Sequence, residues 1–372
     1  MRVHVIGLHH TIPDERFSHC AFTGKVQRFP LVCPYPVVSY VNGPAAPDRV
    51  SILSEAKLRK RFGAKLFTHT TVENNGNQEN RGEFLDKAMA KMASRVKPGD
   101  IVAHVYEPLQ RFVAALPQAI HVETGIGYAT GPAGCYRIFE SESWRAWHMG
   151  RYHLTNNGGG GTWPDYPELV STAVVPNYYD PTQWPLGDGL GTRGRPYVLF
   201  VGRMTSDKGI EVVEYLARAF PEITFKIVSG EPRSDRLTAP NIDWIGLVQS
   251  RSVLAVLYGS ALCTIAPSRF WEPFGGVAVE SLLTGTPVIC PDYAAFVETV
   301  AHPDDGLRCM TPEDYRYALA LMLNPEEGWA SHAGRETRRA RAQERFGIDR
   351  GRVLYEAAFE HFRRLHGAGV RP

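Results

Sequence analysis

Short apolar strands alternate with helical stretches along this chain, and that alternation is how parallel sheets covered by helices look in sequence. One set runs VHVIGL (3–8), PVVSYV (36–41), AKLFTHT (64–70), IVAHVYE (101–107), AIHVET (119–124) and STAVVPN (171–177). A second runs YVLFVGR (197–203), ITFKIVSG (223–230), DWIGLV (243–248), CTIAPS (263–268) and PVICPD (287–292). Each set suffices for one doubly wound α/β domain, and 372 residues can bury two cores. Between the sets, prolines and glycines break any period in PNYYDPTQWPLGDGLGTRGRP (176–196). The expected division is therefore a first domain over 1–180, a linker over 181–196, a second domain over 197–345 and a terminal helix over 346–372. The tract NNGGGGT (156–162) is a rival boundary. Cutting there would strip STAVVPN from the first sheet, so it reads as a loop inside the first domain.

After residue 311 the pattern is helical. TPEDYRYALALMLN opens with Thr311 as a cap and Asp314 three residues on. In EGWASHAGRETRRARAQERF, the arginines at 335, 338, 339, 341 and 345 alternate with Glu336 and Glu344 and read as a solvated face. The last helix carries Leu354, Ala358, Phe362 and Leu365, an apolar stripe that must lie against something. RIFESESWRAWHMG (137–150) reads as an aromatic core stripe at helical spacing.

Composition removes several function classes. With 41 Lys+Arg against 39 Asp+Glu the net charge is +2, which gives no support to nucleic-acid binding. No window approaches 18 apolar residues, and MRVHVIGLHHTIPDERF has histidines inside its only apolar stretch, so neither a membrane span nor a secretory signal is read. Cys20, Cys33, Cys135, Cys263, Cys290 and Cys309 are scattered singly, which fits reduced thiols in a cytoplasmic protein better than a metal cage. GIGYATG (125–131) places its third glycine one residue late for a dinucleotide fingerprint, and GDGLGTRG (187–194) has no strand before it. Thr23-Gly24-Lys25 runs into Val26 where a P-loop needs Ser or Thr, and no G-x-S-x-G elbow occurs.

One constellation holds. VGRMTSDKGI puts Gly202 and Arg203 at the end of a strand and Lys208 and Gly209 at the start of the next helix, where ligands of open parallel sheets bind. A guanidinium fork and an ammonium suit a pyrophosphate. Further on, SRFWEPFGGVAVESLLTGTPVI carries Glu272, then Gly275 and Gly276, then Glu280. Glycines at a helix start let backbone N–H groups close on an anion. Two carboxylates two helical turns apart can accept hydrogen bonds from hydroxyls at opposite ends of one ligand, and a diphosphate flanked by two hydroxylated rings is a sugar nucleotide.

GRMTSDKG together with EPFGGVAVE resembles the retaining glycosyltransferases of family 4, whose E-x7-E signature the second segment matches. The resemblance implies the GT-B fold, two facing Rossmann-like domains with a C-terminal helix crossing back to the first. It implies that Arg203 and Lys208 hold a diphosphate, that Glu272, Phe274, Gly275 and Gly276 contact the donor sugar, and that Glu280 contacts the ribose. The family often has a histidine at the end of the fifth strand. Here that strand reads AIHVET, so His121 or Glu123 is expected to face the donor and orient the acceptor. The implied activity is transfer of a sugar from a nucleoside diphosphate sugar to an acceptor hydroxyl with retention of configuration. No D-x-D stands at a strand end, so no metal and no cofactor are expected. An epimerase or sugar phosphorylase on the same fold, and a non-catalytic nucleotide- or glycan-binding module, are the competing readings.

Overall fold

The computed structural model describes residues 1–17, 20–63, 66, 75–105, 110–125, 135–156, 170–191 and 195–372. Contacts divide the chain into two compact units, Met1–Pro176 with Gly351–Pro372, and Asn177–Arg350.

The first unit holds a seven-stranded sheet of β1 (Val3–Ile6), β2 (Val37–Val41), β3 (Arg49–Ser51), β4 (Ile101–His104), β5 (Ile120–Glu123), β6 (Tyr136–Phe139) and β7 (Thr172–Val174). The order is β3-β2-β1-β4-β5-β6-β7 and every pair is parallel. Its helices are α1 (Ala21–Val32), α2 (Glu55–Phe62), α3 (Asn75–Ala93), α4 (Gln110–Ala115) and α5 (Glu142–Asn156). Parallel strands need crossovers, and helices on them bury both sheet faces, which is why β1, β4, β5 and β6 are buried along their whole length. All but Leu66 of the strand expected over 64–70, the glycine tract at 157–162 and most of GIGYATG lie outside the described residues.

The second unit holds a six-stranded parallel sheet of β8 (Tyr197–Val201), β9 (Thr224–Val228), β10 (Ile242–Gly246), β11 (Cys263–Ile265), β12 (Val288–Pro291) and β13 (Gly306–Cys309), in the order β10-β9-β8-β11-β12-β13. Its helices are α6 (Ile210–Ala219), α7 (Arg251–Ser260), α8 (Gly276–Leu283), α9 (Phe296–Thr299), α10 (Pro312–Leu323) and α11 (His332–Phe346). One core cluster gathers Val198, Ile210, Val213, Leu216, Ile227 and Leu319; another gathers Leu199, Tyr258, Val279, Leu282, Phe296 and Phe346. The order reverses between β8 and β11, the place where this topology opens a crevice at the carboxyl ends of its strands.

Several sequence expectations change. Strands β3, β6 and β13 have no counterpart in the pattern, and 137–150 is not one helical stripe but the strand β6 followed by α5. Residues 181–196 were expected to link the domains; the described part is held on the second unit, with Gly187, Gly189 and Gly191 donating to Thr284 O, Gly259 O and Ser260 O. The arginines of α11 are not a solvated face. Arg335 is fully buried and donates to Gly187 O (2.9 Å), Gly259 O (2.6 Å) and Ala261 O (3.4 Å), and Arg338 donates to Gly285 O (2.9 Å). Arg339 reaches Pro181 O, Arg341 pairs with Asp305, and Arg345 donates to Glu298 O. The carbonyls Arg335 takes include those left open at the C-terminus of α7, where the helix dipole favours a cation.

Thr311 and Asp314 form a reciprocal capping box at the start of α10. The last helix, α12 (Ile348–Gly367), packs its larger part in the first unit, where Tyr355 and Phe359 meet Phe29 and Phe362 stacks on Tyr136 at 4.9 Å. The buried stripe is Gly351, Tyr355, Ala358, Phe359 and Phe362, so Leu354 and Leu365 sit at its margin. All six cysteines are buried and free. No helix among the described residues is long and apolar enough to cross a membrane.

Candidate functional site

The expected donor-binding residues come from two segments of the second unit that follow β8 and β11, the strands on either side of the sheet reversal. After β8 the chain passes Gly202 and the exposed Arg203, whose Nη2 donates to Asp207 Oδ2 at 3.0 Å. The Met204 amide donates to Glu231 Oε2 at 2.8 Å, which fixes this turn to the segment after β9. A short 3-10 turn, Ser206–Lys208, then leads through Gly209 into α6, whose buried face is Ile210, Val212, Val213, Leu216 and Ala217.

Gly209 brings the two segments together. It has φ 72°, and a Cβ there would stand 1.9 Å from Pro267 O, so any side chain would force the Lys208 turn off the loop after β11. With glycine in place, Asp207 O accepts from Arg269 N (2.8 Å) and Phe270 N (3.0 Å). Lys208 Nζ consequently donates to Glu272 Oε1, a residue 64 positions away, and Ser268 Oγ donates to the same oxygen at 2.8 Å. The Lys208 ammonium also lies 5.5 Å from the centre of the Phe270 ring. Ser268 is buried, and its carbonyl accepts from Tyr293 Oη at 2.6 Å.

Glu272 is in the loop, not on the helix: α8 begins only at Gly276. The two carboxylates therefore do not share one helical face. Gly275 caps α8 in the left-handed conformation, φ 73°, and a Cβ there would meet Phe296 at 2.8 Å. Phe274 is buried, stacks on Tyr179 at 6.4 Å and meets Phe346 edge-on at 5.7 Å. It contributes packing that seats the helix start. Glu280 lies one turn into α8 on its half-buried side, while Ala278, Val279, Leu282 and Leu283 face the core. Tyr258 Oη donates to Glu280 Oε2 at 3.1 Å.

The expected first-domain residues have partners inside their own sheet. Glu123 is the register partner of Arg137 on β6, and the guanidinium Nε lies 3.6 Å from its carboxylate, both groups buried. His121 Nε2 is 3.0 Å from Leu116 O, an acceptor only, so that nitrogen carries the proton; Nδ1 accepts from His104 Nε2 at 3.1 Å. Burial pushes His104 down to about 3, helped by His121, and burial likewise lowers His121. Both residues thus have partners within their own sheet.

Sequence reasoning missed Ser268, Tyr258 and Glu231. Their partners lie 4, 22 and 27 positions away, with no local pattern to mark them.

Residues 195–324 match the family model of glycosyl transferases group 1. Glycogen synthase of Mycobacterium tuberculosis is 28% identical over 160 residues, which are 40% of this chain and 38% of that protein. Phosphatidyl-myo-inositol mannosyltransferase of Mycolicibacterium smegmatis is 30% identical over 218 residues, 55% of each chain. The matches thus span about half or less of these relatives' length. Among solved structures, sucrose-phosphate synthase of Thermosynechococcus elongatus superposes with a TM-score of 0.70 at 19% identity, covering 99% of this chain and 100% of the other. Residues 195–324 are thus similar to glycosyl transferases group 1, and the chain has the GT-B fold.

Proposed function

We propose that this chain is a glycosyltransferase that moves a sugar from a nucleoside diphosphate sugar to an acceptor hydroxyl with retention of configuration. One observation carries the reading: Lys208 and Glu272 meet at the carboxyl ends of β8 and β11, beside a helix start whose first turn leads to Glu280. Cations, the first backbone N–H groups of α8 and two separate carboxylates thus come from the two segments that follow β8 and β11. A diphosphate takes the Lys208 ammonium, the Arg203 guanidinium and the α8 amides; Glu272 accepts from hydroxyls of the transferred sugar; Glu280 accepts from the ribose.

In this mechanism the bond from the anomeric carbon to the diphosphate breaks as negative charge builds on the leaving oxygen. Lys208 and Arg203 stabilise that charge where it develops, which lowers the barrier and not merely the ground state. Lys208 is already bonded to Glu272 and Glu272 to Ser268, so these groups need little reorganisation when a donor arrives. The departing phosphate takes the acceptor's proton on the face it leaves, and the acceptor oxygen attacks that same face, so configuration is retained. Cationic side chains do the neutralising that a divalent metal does elsewhere, and the reading therefore includes metal-independent transfer. The relatives' names specify acceptors as different as glycogen and phosphatidyl-myo-inositol, so the acceptor here is proposed only as a hydroxyl compound.

The test is a melting panel of nucleoside diphosphates and sugar nucleotides, with and without a chelator. A ligand at about 100 times its Kd adds about 2.7 kcal/mol to apparent stability and raises the melting temperature. One base and one sugar should stand out, equally well in chelator. A panel with no shift removes the donor assignment, and formation of an epimer from the sugar nucleotide alone would replace transfer by epimerisation.

A further inference from the structure

Glu280 is held by a buried side chain from another helix. Tyr258, on α7, is fully buried, and its hydroxyl donates to Glu280 Oε2 at 3.1 Å. Burial first, and the neighbouring carboxylate second, push the phenol well above its ordinary range, so it stays protonated and acts as the donor. Tyr258 is itself fixed at both ends. Its ring meets Trp184 edge-on at 5.9 Å, and its carbonyl accepts from Thr286 Oγ1 at 2.7 Å. Thr286 Oγ1 in turn accepts from Arg335 Nη2 at 2.6 Å. A chain of hydrogen bonds thus runs from the buried arginine of α11 through Thr286 to Tyr258, and from Tyr258 to the carboxylate on α8.

A glutamate at a half-buried helix position has several rotamers, and a ligand that needs one of them bears the cost of selecting it. We infer that Tyr258 is a positioning residue for Glu280: it holds the carboxylate in the rotamer that receives the ribose hydroxyls of a nucleoside diphosphate. The inference rests on the donor-binding reading above. Tyr258 does not touch the nucleotide. It acts through Glu280, and Thr286 acts through Tyr258 by fixing the end of α7.

The test is calorimetry with UDP, GDP and ADP on the wild type, then titration of the tightest of the three into Tyr258→Phe, Glu280→Ala and the double variant. Tyr258→Phe is expected to raise Kd about tenfold, Glu280→Ala at least as much, and the double variant no more than Glu280→Ala alone. KM for the sugar nucleotide rises in Tyr258→Phe while kcat at saturation is kept, a split that loss of packing alone does not produce. A wild-type Kd in Tyr258→Phe beside a weakened Glu280→Ala overturns the positioning role and leaves the donor reading standing. A wild-type Kd in Glu280→Ala, or no binding of the three by the wild type, overturns both. A further loss from Tyr258→Phe on the Glu280→Ala background overturns the role, because the effect then bypasses Glu280. Thr286→Val keeps the question open to measurement if Tyr258→Phe does not fold: it is expected to raise Kd about threefold, and only while Glu280 is present. An unchanged Kd in that variant overturns the role.

Discussion

On the function proposed above, Lys208 concentrates the chemistry into one atom. Its ammonium is paired with Glu272 before any donor arrives, so removing it deletes the charge opposite a leaving diphosphate while Ser268 keeps its bond to the carboxylate. Lys208→Ala should lower turnover by about a hundredfold or more with an unchanged circular dichroism spectrum, measured as nucleoside diphosphate released from the sugar nucleotide that melts the protein latest. Near-normal turnover would remove the phosphate role. The two glutamates should separate: Glu280→Ala weakens plain nucleoside diphosphate, whereas Glu272→Ala spares it and impairs use of the full sugar nucleotide. Equal losses of nucleoside diphosphate affinity in calorimetry would contradict that division. That the Lys208 and Glu272 segments belong together was legible because each motif is contiguous and its glycines have a backbone reason, such as the 1.9 Å approach that Gly209 permits. The pairing of Glu123 with Arg137 was not legible because the two are adjacent only across the sheet, and strand register is not written in either strand alone.

At the level of elements, the His104–His121 pair ties β4 to β5 in the neutral state. The folded-state value of His104, about 3, lies below the ordinary 6.5, so the unfolded chain binds the proton first. Stability from this residue is therefore complete above about pH 6.5 and is lost as pH falls toward 3. Between pH 7 and 5.5 the loss should be about 1 kcal/mol, read from guanidinium midpoints; His104→Gln should remove that part of the slope. A slope unchanged in the variant would place the acid sensitivity elsewhere. In the second unit, Arg335→Met should cost about 3 kcal/mol in denaturant unfolding, because the Gly187 carbonyl loses the guanidinium as donor and Gly259 O and Thr286 Oγ1 each lose one buried, charge-assisted bond. A stability within 0.5 kcal/mol of wild type, the usual range for surface changes, would mean that water replaces the guanidinium. The alternation of strands and helices was readable, yet β13 was not: Gly306 and Arg308 break its apolar run, and only pairing with β12 makes a strand of it. The α11 arginines were misread for a related reason. Charge spacing predicts a wet face, but it cannot register that open carbonyls at the end of another helix are waiting for donors.

For the whole molecule, the first unit is assembled from both ends of the chain, Met1–Pro176 and Gly351–Pro372. The second segment supplies Tyr355, Phe359 and Phe362 to the aromatic contacts of Phe29 and Tyr136. Ending the chain at Arg350 should expose those rings and leave the first unit aggregation-prone, while the second unit, whose residues end at Arg350, should keep the nucleotide-induced shift expected of it. A truncated chain that stays monodisperse with an unchanged first melting step would show that the last helix is dispensable. Such a discontinuous unit also has a history. A ribosome delivers the chain at about 5–20 residues per second, and domains close as their last segment emerges. Here the unit that is begun first is the one completed last: its sheet must wait, with the surface that α12 will cover still open, until the entire second unit has been synthesised. For that interval, the unit that carries the proposed donor site can be mature while the other is still a folding intermediate and a client for chaperones.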